Sequence, residues 1–265
     1  ATRKSLNDIL FMLRSCIFLL ASIVGCIATW AQSVRTVCSP DKKIKVEVTL
    51  ADGITYSVYN GTELVLDACR LSLDVNGKVL GSSPRLKQAT TRSVSEMKRP
   101  FLHLKYAVVP NEYNELRLQM KDDYAVVFRV FNDGMAYRFE TALKGNIQVN
   151  HEDITVFFPH DTQLVLQQSD RYRSSYEERY AFTKVADWHS YHKMAHYPIL
   201  ATTPAGTKLL LSEADLVDYP AAFFRSNDAD GISSVFPRVP AAEKPRSDKS
   251  NDVLLRERYI AATSG

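Results

Sequence analysis

Ile44-Lys45-Val46-Glu47-Val48-Thr49-Leu50-Ala51-Asp52-Gly53-Ile54-Thr55-Tyr56-Ser57-Val58-Tyr59 is the stretch on which the fold turns. Ile44, Val46, Val48 and Leu50 alternate with Lys45, Glu47 and Thr49. A two-residue period sends successive side chains to opposite faces, so one face meets a core and the other meets water. Asp52-Gly53 is a strong short-range hairpin signal, and Ile54 to Tyr59 reads as the returning strand until Asn60-Gly61 ends it.

The same pattern continues on both sides. Leu64 and Leu66, then Leu71, Leu73 and Val75 before Asn76-Gly77, then Leu102, Leu104 and Tyr106, then Leu116, Leu118 and Met120, each suggest a short strand. Tyr124 to Val130 is apolar at almost every position and is expected to lie centrally with both faces covered, turning through Asn132-Asp133-Gly134 into Met135 to Phe139. Ile154, Val156 and Phe158, then Leu164 and Leu166, extend the series. Short, evenly spaced strands with Gly and Asn turns predict an all-β fold with little helix, a sandwich or antiparallel barrel. Glu178 to Met194 mixes Tyr, Trp and His without a clean period and is expected to be a long loop with one helical turn. Phe236 to Asn251, with Pro237, Pro240 and Pro245, reads as an exposed loop.

Composition sets the limits. The 265 residues carry 33 Lys and Arg against 30 Asp and Glu, a formal charge of +3, with 45% apolar and 24% charged residues. That is an ordinary globular balance, which excludes disorder and gives no sign of a nucleic-acid partner. The chain has room for one large all-β domain or one α/β barrel, and not for both.

Residues 1–31 read as a secretory signal peptide, with Arg3, Lys4 and Arg14 before the apolar run Ser15 to Ala28 and a small-residue exit at Ala31. The run is shorter than the ~20 residues of a membrane span. Ile23-Val24-Gly25-Cys26 is the rival reading, a lipoprotein signal that would leave a lipid on Cys26 and make the membrane a partner; a signal-anchor helix is the third. Residues 32–265 then form the mature domain, periplasmic or secreted. A chain that begins with Ala and ends at Thr263-Ser264-Gly265 is expected to be a fragment. Export permits a disulfide between Cys38 and Cys69, and two buried thiols fit equally well.

Chemical motifs are sparse. His189, His192 and His196 have spacings that could place imidazoles on one helix face as zinc ligands, but without a His-Glu-x-x-His pattern they read as ordinary surface or packing histidines. Glu177 and Glu178 lie in a polar, aromatic stretch that lacks strand alternation; adjacent loop acids are usually solvated. Glu213 closes a strand and reads as structural. There is no Gly-x-Ser-x-Gly elbow, phosphate-binding loop or dinucleotide fingerprint.

Four segments, in order, carry a resemblance: Cys38-Ser39-Pro40-Asp41-Lys42, Asn111-Glu112-Tyr113-Asn114-Glu115-Leu116, Phe128 to Phe139, and Ser212-Glu213-Ala214-Asp215-Leu216-Val217-Asp218-Tyr219. From about Ser39 to its end the chain resembles the amino-terminal domain of glycoside hydrolase family 97, exported bacterial α-glucosidases and α-galactosidases. The resemblance implies a large antiparallel β-super-sandwich that packs on a catalytic (β/α)8 barrel of the same polypeptide, which would begin beyond Gly265. It therefore implies no catalytic residue in this chain, no hydrolysis without the barrel, and an α-linked oligosaccharide as substrate of the whole enzyme. It also implies that the sandwich lends one glutamate to an active-site calcium ion (Ca2+). The family pattern of Glu followed three residues later by Tyr matches Glu177 and Tyr180, with Glu178 the alternative after a one-residue slip. Two rivals remain: a stand-alone exported carbohydrate-binding or surface interaction module using the aromatic loop Tyr172 to Tyr197, and a structural β protein that binds no sugar.

Overall fold

The computed structural model describes residues 33–102, 105–189, 193–247 and 250–263. The signal segment read at residues 1–31, Cys26 and His192 lie outside the described residues. In chain order the strands are β1 (Ser33–Cys38), β2 (Ile44–Leu50), β3 (Ile54–Asn60), β4 (Glu63–Val75), β5 (Lys78–Leu80), β6 (Leu86–Lys98), β7 (Val109–Met120), β8 (Tyr124–Val130), β9 (Met135–Thr141) and β10 (Ile147–Phe157). They continue as β11 (Gln163–Ser169), β12 (Tyr180–Lys184), β13 (Met194–Thr202), β14 (Lys208–Leu211), β15 (Phe223–Ser226), β16 (Gly231–Val235), β17 (Pro240–Ser247), β18 (Ser250–Arg256) and β19 (Ala261–Thr263). All pairings are antiparallel, and no helix occurs among the described residues.

The deciding hairpin forms in the expected register. Val46 faces Val58, Val48 faces Tyr56 and Leu50 faces Ile54, and all six are buried. Burying each such side chain is worth roughly 1.5–3 kcal/mol before chain entropy is charged against it. The strands read separately at Leu64–Leu66 and Leu71–Val75 are one strand, β4. A shift in its pairing with β3 beside Ala68, whose φ is 47°, changes the phase of the alternation midway.

Two sheets make the sandwich. The larger runs β1-β2-β3-β4-β10-β16-β15-β13-β11-β12, with β5 on β4, β14 on β13 and β19 on β10; the smaller is β6-β7-β8-β9. The smaller sheet covers the first strands of the larger. The Tyr56 ring lies 5.8 Å from Phe128 and 6.1 Å from Tyr137, Asn114 donates to the Cys38 carbonyl at 2.8 Å, and the Gly81 amide donates to the Tyr124 hydroxyl at 3.0 Å. Only glycine fits at 81: φ is +92°, and a Cβ there would sit 2.9 Å from the Leu71 carbonyl oxygen. The larger sheet also curls on itself, because Glu63 at the β3–β4 turn accepts hydroxyl hydrogen bonds from Thr203 and Thr207 at the β13–β14 turn, both at 2.5 Å.

β8 is central, as its apolar run requires. Val126 and Phe128 face the core, while Val127, on the opposite face, pairs across the sheet with Arg117 and Arg138. The aliphatic stems of those arginines shelter it. Their guanidinium groups both reach Glu140, and on the same face Glu115 takes Arg92 Nε at 2.6 Å and Arg129 Nε at 2.8 Å.

Three sequence expectations are corrected. Within Glu178 to Met194 the chain forms β12 in place of the expected loop, followed by one turn in which the Asp187 and Trp188 amides donate to the Lys184 carbonyl, both at 3.1 Å. Phe236 to Asn251 contributes to a hairpin, β17–β18, whose pairing shifts register beside Pro240 and Pro245; bulges are where a strand tolerates a missing amide. Between β5 and β7 the strand is β6, while 105–106, read as strand, are bends. Cys38 and Cys69 are both free thiols. Cys69 is buried, accepts the Phe157 amide at 3.4 Å, and has its pKa pushed up to about 12 by that burial.

Candidate functional site

The candidate site lies where β11 and β13 pair and two loops meet. Leaving β11, the chain enters the 170–179 loop, which is pinned at each end. Ser169 Oγ donates to the Arg171 carbonyl at 2.6 Å, and Gln167 Nε2 donates to the Glu178 carbonyl at 2.7 Å. Within it Tyr176 adopts a left-handed backbone, φ 57°, with its hydroxyl donating to the Tyr172 carbonyl at 3.0 Å. Glu177 and Glu178 are both exposed, and Tyr180 opens β12, three residues beyond Glu177. Among the described residues nothing hydrogen-bonds or ion-pairs with the Glu177 carboxylate, which is therefore available to a group from outside the chain.

Calcium takes six to eight oxygens. Among the described residues no group of three or more His, Cys, Asp or Glu side chains could hold a metal ion. The donor set thus fits a single shared ligand and does not form a complete calcium site. Among the described residues, His189 and His196 belong to no group that could hold a metal ion. His189 Nδ1 lies 3.7 Å from Asp228, whereas His196 is a buried residue of β13 packed against Tyr176.

The register of four strands reveals a feature that sequence reading missed. Phe182 of β12 faces Val165 of β11, which faces Leu200 of β13, which faces Leu210 of β14. The neighbouring positions Leu164, Leu166, Ile199 and Ala201 point into the core, so this row lies on the outer face, with Phe182 79% and Leu210 67% exposed. Val165 and Leu200 between them are half-buried, so the row is an apolar strip open at both ends, the kind of surface that contacts a partner. One signal was present: three consecutive leucines, Leu209-Leu210-Leu211, in a strand must turn one of them outward.

Beside this row a cleft of about 280 Å3 is walled by Tyr176, His196, Glu213 and Phe223. Glu213 accepts the Ala222 amide at 3.0 Å, and burial raises its pKa above the ordinary carboxylate value. On β10, Glu152 accepts the Tyr219 hydroxyl at 2.8 Å, and its pKa is likewise raised by burial. The expectation that Glu213 is structural agrees with its hold on the Ala222 amide.

The fold is thus a two-sheet antiparallel sandwich with an exposed loop carboxylate, Glu177, and an apolar row on its outer face. The family described as Glycosyl-hydrolase 97 N-terminal matches residues 37–253, and the chain belongs to that family. It is 27% identical over 257 residues to a retaining alpha-galactosidase of Bacteroides thetaiotaomicron, covering 92% of this chain and 38% of that protein. In fold it is similar to a glycoside hydrolase family 97 enzyme from Pseudoalteromonas sp. strain K8 solved in complex with acarbose (TM-score 0.67, 20% identity, 76% of this chain and 32% of that one). It is also similar to a beta-arabinopyranosidase (TM-score 0.69, 21% identity, 87% and 39%). The chain thus spans less than two fifths of each of these relatives.

Proposed function

We propose that this chain is the non-catalytic amino-terminal sandwich of an exported, calcium-assisted α-glycosidase, an α-glucosidase or α-galactosidase acting on α-linked oligosaccharides. A catalytic barrel on the same polypeptide covers the Phe182–Val165–Leu200–Leu210 row, and Glu177 reaches across the junction as one oxygen ligand of a Ca2+ ion at the active site. The observation that carries the reading is the match to the family's amino-terminal domain in a chain that covers only 38% of its galactosidase relative. Two features support it. The outer row is apolar where a solvated face would be polar, and the Glu177 carboxylate is exposed and without a partner among the described residues.

The chain's own part in hydrolysis is positional. Glu177 presents a hard oxygen donor from a loop fixed at Ser169 and Glu178, and the apolar row excludes water from the junction. The ion, when bound, supplies charge stabilisation at the sugar. The test is hydrolysis of nitrophenyl α-glucoside and α-galactoside by the purified chain, alone and joined to the coding region downstream of Gly265. Activity is expected only in the joined protein; cleavage by the chain unaided overturns the reading.

A further inference from the structure

The cleft beside the 170–179 loop contains a buried acceptor that the fold leaves without a donor. His196 is 8% exposed, and its Nδ1–H donates to the Tyr197 carbonyl at 2.9 Å. That bond fixes the tautomer, so Nε2 presents a lone pair. Nε2 is buried and, among the described residues, nothing donates to it. Native proteins rarely leave such an atom unpaired, because its desolvation is not recovered. The Tyr176 ring packs edge-to-face on the imidazole, with centroids 4.9 Å apart, and covers one side of it. Tyr176 is itself 45% exposed, so its ring can turn aside without unpacking the core.

The remaining walls indicate what would enter. The Glu213 carboxylate lies on the same cleft, Gln167 contributes an amide, and Phe223 forms an aromatic wall, its ring 6.1 Å from that of His196 and 6.2 Å from that of Tyr176. Two acceptors in one cleft, one of them a carboxylate, repel an anion and select a ligand rich in hydrogen-bond donors, while the aromatic walls favour a ring with an apolar face. A volume of about 280 Å3 admits one such ring and not a chain of them.

We infer that this cleft is a recognition site for a single sugar ring, one hydroxyl of which donates to His196 Nε2 and another to Glu213 after Tyr176 turns from its covering position. The choice of a neutral sugar over other donor-rich rings rests on the functional reading above; the need for a hydrogen-bond donor does not. Tyr176 immediately precedes Glu177, so occupation of the cleft and the placing of the Glu177 carboxylate are coupled through one peptide unit.

The experiment follows the ring nitrogen resonances of His196 in the 15N-labelled full chain during titration with methyl α-glucopyranoside, methyl α-galactopyranoside and myo-inositol. The expected result is a saturable shift of Nε2 with at least one glycoside, and loss of glycoside binding, followed by calorimetry, in His196→Phe. In Tyr176→Ala, a variant in an exposed loop, binding is expected to tighten, because no covering ring has to be displaced before the ligand enters. A glycoside that binds while Nε2 stays unmoved overturns the cleft assignment and leaves the carbohydrate reading intact. A shift with inositol alone overturns the sugar, and with it the carbohydrate reading of this site. No shift with any probe overturns the proposal outright.

Discussion

Replacing Glu115 by Gln removes the negative charge at the centre of the Arg92–Glu115–Arg129 cluster while keeping the side chain's shape. The hydrogen bond from Arg92, then that from Arg129, holds the Glu115 pKa at about 2 against an ordinary 4.5, although burial works in the opposite direction. At about 1.4 kcal/mol per pH unit, that displacement corresponds to roughly 3 kcal/mol favouring the folded anion. The Glu115 side chain is only 8% exposed, but Arg92 is 58% exposed, and water screens part of the attraction. About 2 kcal/mol is the expected loss in Glu115→Gln. The sign of the pH dependence follows from the folded pKa lying below the unfolded one. The contribution is complete above about pH 4.5 and disappears as the pH falls through about 2. Urea unfolding of the two proteins should therefore show midpoints well separated near neutral pH and converging toward about pH 2, with unchanged slopes. Equal midpoints at neutral pH, or a separation that persists through the acid range, would refute the reasoning.

Two further outcomes follow from the structure. Gly81→Ala should cost roughly 3 kcal/mol or more, because the new Cβ meets the Leu71 carbonyl in a left-handed backbone, whereas Gly77→Ala, at φ +81° with nothing within 4 Å, should cost about 1 kcal/mol; thermal unfolding of the pair checks the contrast. Replacing Phe182 and Leu210 by Ser should leave urea unfolding midpoints nearly unchanged, within about 0.5 kcal/mol per site, since both side chains are exposed on the outer row.

How much of this was legible in the sequence depended on which face a residue occupies. The β2–β3 hairpin could be read residue by residue, because its apolar positions all face the core and Asp52-Gly53 fixes the turn. β12 was hidden because Tyr180 and Phe182 put their rings outward, inverting the pattern that marks a half-buried strand. β6 was hidden because Leu86 to Lys98 is mostly Thr, Ser, Lys and Gln with nearly every side chain exposed; its place is set by backbone pairing with β7. β17 was obscured by prolines that the fold accommodates at bulges. Glu177 is singled out only by the family resemblance, since an exposed loop acid carries no local signal. The outer apolar row depended on a four-strand register that no single strand records.

The central claim is that Glu177 completes a calcium site which this chain cannot form by itself, and calorimetric titration with Ca2+ tests it most directly. The chain alone should give no tight isotherm. The protein extended through its barrel should bind tightly, and Glu177→Gln should weaken that binding at least about tenfold, a loss of roughly 1.4 kcal/mol, while Glu178→Gln leaves it unchanged. Submicromolar binding by the isolated chain, or indifference of the extended protein to the loss of Glu177, would contradict the account.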